Sequence, residues 1–319
     1  LDRRTGVTVK KDLLTLLDLE KKDFDALFKR AAELKTRRKQ GIRETGLAGK
    51  SLGLIFDKPS TRTRISFETA MIQMGGIPLF ISTKDTQVSR NEPIMDTARV
   101  LSRYLDGIVI RTFSQDILEE YAAFSDIPVI NALTDLYHPT QVLSDLLTVV
   151  EQKGGYEGII VAWIGDGNNV AHSWINAASI LGFELRLACP KDYFPDAAIR
   201  KRAETKCGGK ILVMENPTEA VTDADVIYTD VWASMGQETE STARKLIFRN
   251  YQVNEDLVAR AKPDAIVMHC LPAHRGEEIT ESLLETPDSV IWDQSENKLH
   301  MNKAILEAFM KGDLSCQTR

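Results

Sequence analysis

Cysteine is scarce in this sequence, and the four that occur lie far apart. Cys189, Cys207, Cys270 and Cys316 form no C-x-x-C pair. That usage argues against a disulfide framework and fits a reducing, cytoplasmic setting. Long apolar runs are missing as well. None approaches the ~20 residues that a membrane helix needs, and Leu1-Asp-Arg-Arg-Thr5 holds no apolar signal region, so no membrane partner is expected. Basic charge is in deficit: 40 Lys and Arg against 46 Asp and Glu, a formal charge of −6. This argues against nucleic acid as the main partner. There is no short-period repeat and no low-complexity tract. What is present is ordinary globular composition, 43% hydrophobic and 27% charged, and 319 residues suggest about two domains.

Hydrophobic spacing gives the organisation. Residues 12–40 interleave leucines with charge (Leu13, Leu16, Leu17, then Phe24, Leu27, Phe28, Ala31, Leu34) and read as one or two surface helices. Gly41 to Gly49 reads as a loop. Strand candidates follow at Leu52–Phe56, Leu79–Ile81, Gly107–Ile110 and Val129–Asn131, with helical spacings between them. A helix starts at His138-Pro139, with Val142, Leu143, Leu146, Leu147 and Val150 on its apolar face. Gly154-Gly155 marks a junction. A second series of strands is expected at Gly158–Ile164, Glu184–Ala188, Ile211–Val213, Val226–Thr229, Ala265–His269 and Val290–Trp292. The last helix carries Met301, Ala304, Ile305, Ala308 and Phe309 on one stripe that must be buried. The alternation predicts an α/β fold of two doubly wound parallel-sheet domains. In such sheets ligands bind beyond the carboxyl ends of the strands. Six polar clusters fall there, and an active-site cleft between the domains is the expectation.

The most informative cluster is Phe56-Asp-Lys-Pro-Ser-Thr-Arg-Thr-Arg64. Phe67, Ala70, Met71 and Met74 continue it at helical spacing, so Ser60 to Arg64 open a helix. Free N–H groups there suit an anion, and the hydroxyls and Arg62 add donors. Either this is a phosphate cradle or it is a Ser N-cap with a solvated polar turn. Arg111 ends a buried strand and is either a surface cap or aimed at a ligand. His138 is either a helix-start cap or a donor beside a bound carbonyl or phosphate. Gly165-Asp-Gly167-Asn168-Asn169-Val170 resembles half of a dinucleotide fingerprint. The third glycine is Val170, and no acidic residue closes the next strand, so NAD binding is rejected. Asn168 remains a candidate for gripping a carboxylate or amine. Asp230 suits an ammonium group, or else caps a helix. His269-Cys270-Leu271-Pro272-Ala273-His274 lacks a fourth ligand for zinc. Cys270 is either a nucleophile with His269 or His274 as base, or an unreactive cysteine. A cationic end (Arg62, Arg111, His138) in one domain and an anion (Asp230) in the other suggest group transfer from a phosphorylated donor to an amine.

Ser60-Thr-Arg-Thr-Arg64 with His138-Pro-Thr-Gln141 resembles the aspartate/ornithine carbamoyltransferase family. Asp230-x-x-x-Ser234-Met235-Gly236 and His269-Cys-Leu-Pro272 are similar to its ornithine branch. The resemblance implies a carbamoyl-phosphate-binding domain over residues 1–150, joined by the C-terminal helix 299–319, and an ornithine-binding domain over 151–298. It implies a homo-oligomer, a trimer or a multiple of trimers. Ser60, Thr61, Arg62 and Thr63 would hold phosphate, with Gln87 reaching in from the neighbouring subunit. Arg111, His138 and Gln141 would bind the carbamoyl group, and Cys270 and Leu271 would lie beside it. Asn168, Asp230, Ser234 and Met235 would bind ornithine. Arg111, His138, Cys270 and Asp230 are the catalytic candidates. One departure stands out: the family reads Glu-Asn-Arg where this chain has Glu296-Asn297-Lys298. Lysine keeps the charge but loses the planar fork.

The implied reaction is attack of the δ-amine of L-ornithine on carbamoyl phosphate, giving citrulline and phosphate in arginine metabolism. It needs no metal and no organic cofactor. Rival readings are another acceptor (acetylornithine, putrescine or aspartate), a cysteine hydrolase using Cys270, and a non-catalytic phosphometabolite-binding subunit.

Overall fold

The computed structural model describes residues 10–82, 92–206, 210–233 and 241–312. The chain divides into two compact units, residues 1–144 with 297–319, and residues 145–296.

The first unit holds α1 (Lys21–Lys39), β1 (Ser51–Phe56), α2 (Thr61–Gln73), β2 (Ile77–Ser82), α3 (Ile94–Tyr104), β3 (Gly107–Arg111), α4 (Gln115–Phe124), β4 (Val129–Leu133) and the start of α5 (Pro139–Lys153). The expected helical region before residue 40 is a short 3-10 turn at Leu16–Asp18 and then α1. Phe24, Leu27, Phe28, Ala31 and Leu34 are buried on one stripe of α1, as the i, i+3, i+4 spacing requires. The strands form a parallel sheet in the order β2-β1-β3-β4. β1 and β3 are central and almost wholly buried, which explains their continuous apolar runs. The β4 edge is closed by Leu13, whose N–H donates to Val129 O at 2.9 Å and whose carbonyl accepts from Asn131 N at 2.8 Å. The β2 edge leaves Ile77, Leu79 and Phe80 exposed.

The second unit holds β5 (Ile160–Ile164), α6 (Asn169–Leu181), β6 (Glu184–Ala188), α7 (Ala197–Lys206), β7 (Ile211–Met214), α8 (Pro217–Val221), β8 (Val226–Thr229), α9 (Ser241–Phe248), α10 (Glu255–Val258), β9 (Ile266–His269), α11 (Glu281–Leu284) and the start of α12 (Ile291–Lys311). Its parallel sheet has the order β7-β6-β5-β8-β9. The strand expected at Val290–Trp292 is absent. Ser289 makes one bridge to Val267, and Ile291 already begins α12. The β-branched and aromatic run suits either state, and the hydrogen bonding of the following residues decides for helix.

The two compact units divide inside α5 and inside α12. Met301, Ala304, Ile305, Ala308 and Phe309 of α12 are buried. In each sheet the chain reverses direction of addition once, between β1 and β3 and between β5 and β8. Ligand sites are expected beyond the carboxyl ends of those strand pairs.

Candidate active site

The first cluster lies at the β1/β3 switch point. Pro59 and the extended Ser60 (φ −161°) end β1, and Thr61 starts α2. Ser60 occupies the N-cap, but its side chain makes no cap hydrogen bond. Arg62 is exposed and Thr63 is buried. Neighbouring cations of the same motif are committed elsewhere. Lys58 pairs with Asp135 and lies 4.1 Å from the Phe113 ring centre. Arg64 donates to Glu68 Oε1 at 2.8 Å and stacks 3.5 Å over Phe80. Arg111 ends β3 at a register shift against β4 and is buried. Burial, and then the charge of Arg62, bring its guanidinium down to about 10, with Asp135 acting the other way. It stays protonated at neutral pH.

His138 and Gln141 sit at the start of α5, both buried. Burial first, then the charges of Lys298 and Arg111, hold the His138 imidazole well below its ordinary range. Lys298, buried on α12, donates to Gln141 Oε1 at 2.6 Å. Sequence reasoning singled out Lys298 as a departure, and its partner lies 157 residues earlier. Lys298 and Arg111 thus both act on the His138 imidazole, and Arg62 acts on Arg111; together with a helix start whose N-cap side chain is uncommitted, these cations suit an anion.

The second cluster lies at the β5/β8 switch point and centres on Asp230. Asp230 Oδ1 accepts from Cys270 Sγ at 3.0 Å and from Val231 N at 2.8 Å. Its Oδ2 accepts from Asn168 Nδ2 at 2.8 Å. Asn168 also caps α6, its Oδ1 accepting from Val170 N and Ala171 N at 2.9 and 3.2 Å. This helix start is therefore self-capped, unlike that of α2. Gly165 follows β5 with φ +132°, a region L-residues avoid. A Cβ on Gly167 would come within 2.3 Å of Pro195 N. These glycines serve a tight turn and close packing, which accounts for the partial dinucleotide fingerprint.

Asp166 lies beside this cluster. Burial, with the charge of Asp230, raises its carboxyl to about 6 against the pull of Arg244. Arg244 is buried, pairs with Asp166, donates to Trp232 O and lies over Tyr193 and Phe248. It joins α9 to the end of the Asp230–Ala233 segment. Sequence reasoning missed this pair, because its members are 78 residues apart and Arg244 sits in no motif.

The hydrogen bonds described for His269 go to partners other than Cys270. His269 is buried, its Nδ1 accepts from Leu271 N at 2.8 Å, and its Nε2 bonds Glu278 Oε1 at 3.0 Å. Both nitrogens bond groups other than Cys270 Sγ. His269 instead braces Leu271, whose φ of +58° is unusual for a branched residue. His274 is half exposed and faces Glu277 and Glu278. Among the described residues, two groups bring three metal-capable atoms within 4.8 Å, Asp230–His269–Cys270 and His274–Glu277–Glu278. In the first, His269 would have to give up a bond to ligate; in the second, Glu277 is already paired with Lys245 at 2.6 Å. Gln87, Ser234 and Met235 lie outside the described residues.

Residues 11–151 match the family model for the carbamoyl-P binding domain of aspartate/ornithine carbamoyltransferase, and residues 157–309 match its Asp/Orn binding domain. The chain belongs to the aspartate/ornithine carbamoyltransferase family. It is 59% identical over 299 residues to a protein named ornithine carbamoyltransferase from Syntrophus aciditrophicus, across 94% of this chain and 99% of the relative. A Geobacter sulfurreducens protein of the same name is 54% identical over 298 residues, across 93% and 98%. The solved structure of ornithine carbamoyltransferase from Pyrococcus furiosus superposes with a TM-score of 0.91 at 47% identity, covering 98% of this chain and 100% of that one. For this carbamoyltransferase-family chain, the Ser60–Thr63, Arg111, His138, Gln141 and Lys298 cluster falls within the first unit. The Asn168, Asp230, Cys270 and Leu271 cluster falls within the second.

Proposed function

We propose that this chain transfers the carbamoyl group of carbamoyl phosphate to the δ-amine of L-ornithine, yielding L-citrulline and phosphate. The Asp230 carboxylate carries the reading. Three donors fill three of its roughly four lone-pair positions, and among the described residues one position on Oδ2 remains. A fixed anion with one open acceptor suits an amine, and it lies in the region matched by the Asp/Orn binding model.

Ser60, Thr61, Arg62 and Thr63 bind the phosphate, with Gln87 contributed by a neighbouring copy. Arg111, His138, Gln141 and Lys298 hold the carbamoyl group, with Cys270 and Leu271 beside it. Asn168, Asp230, Ser234 and Met235 bind ornithine. The neutral amine attacks the carbamoyl carbon, charge grows on the carbamoyl oxygen, the C–O bond to phosphate breaks, and the departing phosphate takes the proton that the amine nitrogen gives up. Arg111 stays charged and His138 stays neutral, so both meet that oxygen as preset donors. Losing one such donor costs on the order of 100-fold or more in turnover. Alkyl amines titrate near ~10, so activity rises with pH along the acidic limb. Cys270 orients the amine without forming a covalent bond.

The chain works as a homo-oligomer built on trimers in the cytoplasm. The apolar β2 edge, with Ile65 and Ile72 exposed on α2, supports a contact with a second copy. No helix among the described residues is long and apolar enough to cross a membrane.

The test mixes purified protein with carbamoyl phosphate and, separately, ornithine, acetylornithine, putrescine and aspartate. Citrulline and released phosphate from ornithine alone are expected. Product from another amine moves the acceptor assignment. No product from any, with carbamoyl phosphate still bound, overturns the enzymatic reading.

A further inference from the structure

β9 is the edge strand of the five-stranded sheet, and its outward backbone groups belong to Val267 and His269. Ile266 faces β8, its N–H donating to Asp225 O at 3.0 Å. Val267 is served by backbone: its N–H donates to Asp288 O at 2.8 Å, and its carbonyl accepts from Val290 N at 3.1 Å. A sixth strand would next offer Val290 O to the N–H of His269. That carbonyl is taken, because Gln294 N donates to it at 2.8 Å as α12 begins. The Gln294 side chain makes good the loss, its Oε1 accepting from His269 N at 3.0 Å.

Gln294 is itself fixed. Its Nε2 donates to Asp145 Oδ1 at 2.8 Å and to Tyr228 OH at 3.2 Å, and Tyr228 OH donates to Asp145 Oδ2 at 2.8 Å. All of these groups are buried. The Tyr228 ring stacks on Trp163 at 5.1 Å and meets Trp174 edge-on at 5.5 Å. Tyr228 lies two residues before Asp230, and His269 one before Cys270. The network therefore ties together the two strand ends from which Cys270 and Asp230 make their 3.0 Å contact.

We propose that Gln294, oriented by Asp145, is a positioning residue that sets Cys270 against Asp230 and so places the acceptor amine. The substrate part rests on the carbamoyl-transfer reading; the Cys270–Asp230 geometry does not. Gln294→Leu removes both hydrogen-bonding ends. Gln294→Glu keeps the acceptor for His269 but sets a second carboxylate against Asp145. Adding Asp145→Asn returns a donor to face it.

Three quantities are measured in the full chain: kcat and KM for ornithine, equilibrium carbamoyl-phosphate affinity, and the iodoacetamide alkylation rate of the Cys270 peptide by mass spectrometry. In Gln294→Leu, kcat/KM for ornithine is expected to fall roughly 10- to 100-fold. Carbamoyl-phosphate affinity should stay within about two-fold, and Cys270 alkylation should rise at least about three-fold, as expected when a buried bond is lost. Gln294→Glu should behave similarly, and the double variant should return both acceptor kinetics and alkylation to within about three-fold of the parent. Unchanged alkylation and ornithine KM in a folded Gln294→Leu chain would overturn the proposal. So would parallel loss of carbamoyl-phosphate affinity, or a folded double variant without recovery. If Gln294→Leu does not fold, the single and double exchange variants decide. A parent chain that makes no citrulline sinks the transferase reading, and the alkylation arm still decides the role of Gln294.

Discussion

Replacing Lys298 with methionine probes the cationic cluster at its least expected member. The side chain length is kept, and the 2.6 Å bond to Gln141 Oε1 is lost. A hydrogen bond to a charged group contributes about 1.5–3 kcal/mol. If that contribution is felt by the bound anion, carbamoyl-phosphate affinity falls roughly 10- to 150-fold. Stability is a poor readout, because losing the bond and relieving a buried ammonium act in opposite directions. A second readout is independent of affinity. After burial, the Lys298 charge is the next cause of the depressed His138 imidazole. Without it, His138 must take up its proton at a higher pH than in the parent. Isothermal calorimetry with carbamoyl phosphate gives the first quantity, and the His138 ring signals in a pH titration give the second. Affinity within two-fold of the parent, together with an unmoved or lowered His138 midpoint, refutes the reasoning. Lys298→Arg keeps the charge and should hold affinity within about three-fold.

Three further outcomes are expected. Cys270→Ser keeps a donor for Asp230, so citrulline formation should persist with kcat/KM for ornithine reduced about ten-fold; complete loss in a folded chain that still binds both substrates would point to a covalent role. Because His138 is held neutral in the folded chain while the unfolded chain takes a proton near 6.5, stability is full above pH 6.5 and is lost as pH falls below it. The limiting slope is about 1.4 kcal/mol per pH unit, and His138→Gln should flatten that part of a urea-denaturation profile; equal slopes would contradict the assignment. Ile77→Glu with Leu79→Lys places charge on the exposed β2 edge and should shift the sedimentation coefficient toward a single chain, while an unchanged coefficient would move the interface elsewhere.

Much of this architecture was legible because buried parallel strands and amphipathic helices carry local signals. The run Ser51–Phe56 and the stripe of α1 declare themselves by period alone. Val290–Trp292 did not, since its state depends on which partner takes the Val290 carbonyl. The helix start at Ser60–Arg64 and the Asp230 carboxylate were readable as candidates from residue type at a strand end. What holds them was not: Gln141 with Lys298, Asp166 with Arg244 and His269 with Gln294 are pairs distant in sequence. His269 beside Cys270 suggested a base, and only Glu278 and the Leu271 N–H reveal a brace. The two glycines of the partial fingerprint answered to a turn and to Pro195 rather than to a nucleotide.

The discontinuity of the first unit orders events during synthesis. Residues 145–296 are contiguous, so every residue of the second unit is made before the first unit can be finished. The first unit has its strands early, yet the buried stripe Met301, Ala304, Ile305, Ala308 and Phe309 is made only after residue 296. Until then its apolar surface waits without its last covering helix and without Lys298. Translation halted after residue 296 would leave the Asp230 cluster's own unit whole in sequence and the anion-binding unit unfinished. A stop just after residue 296 is therefore a lesion of the unit matched by the carbamoyl-P binding model, although it falls outside that match.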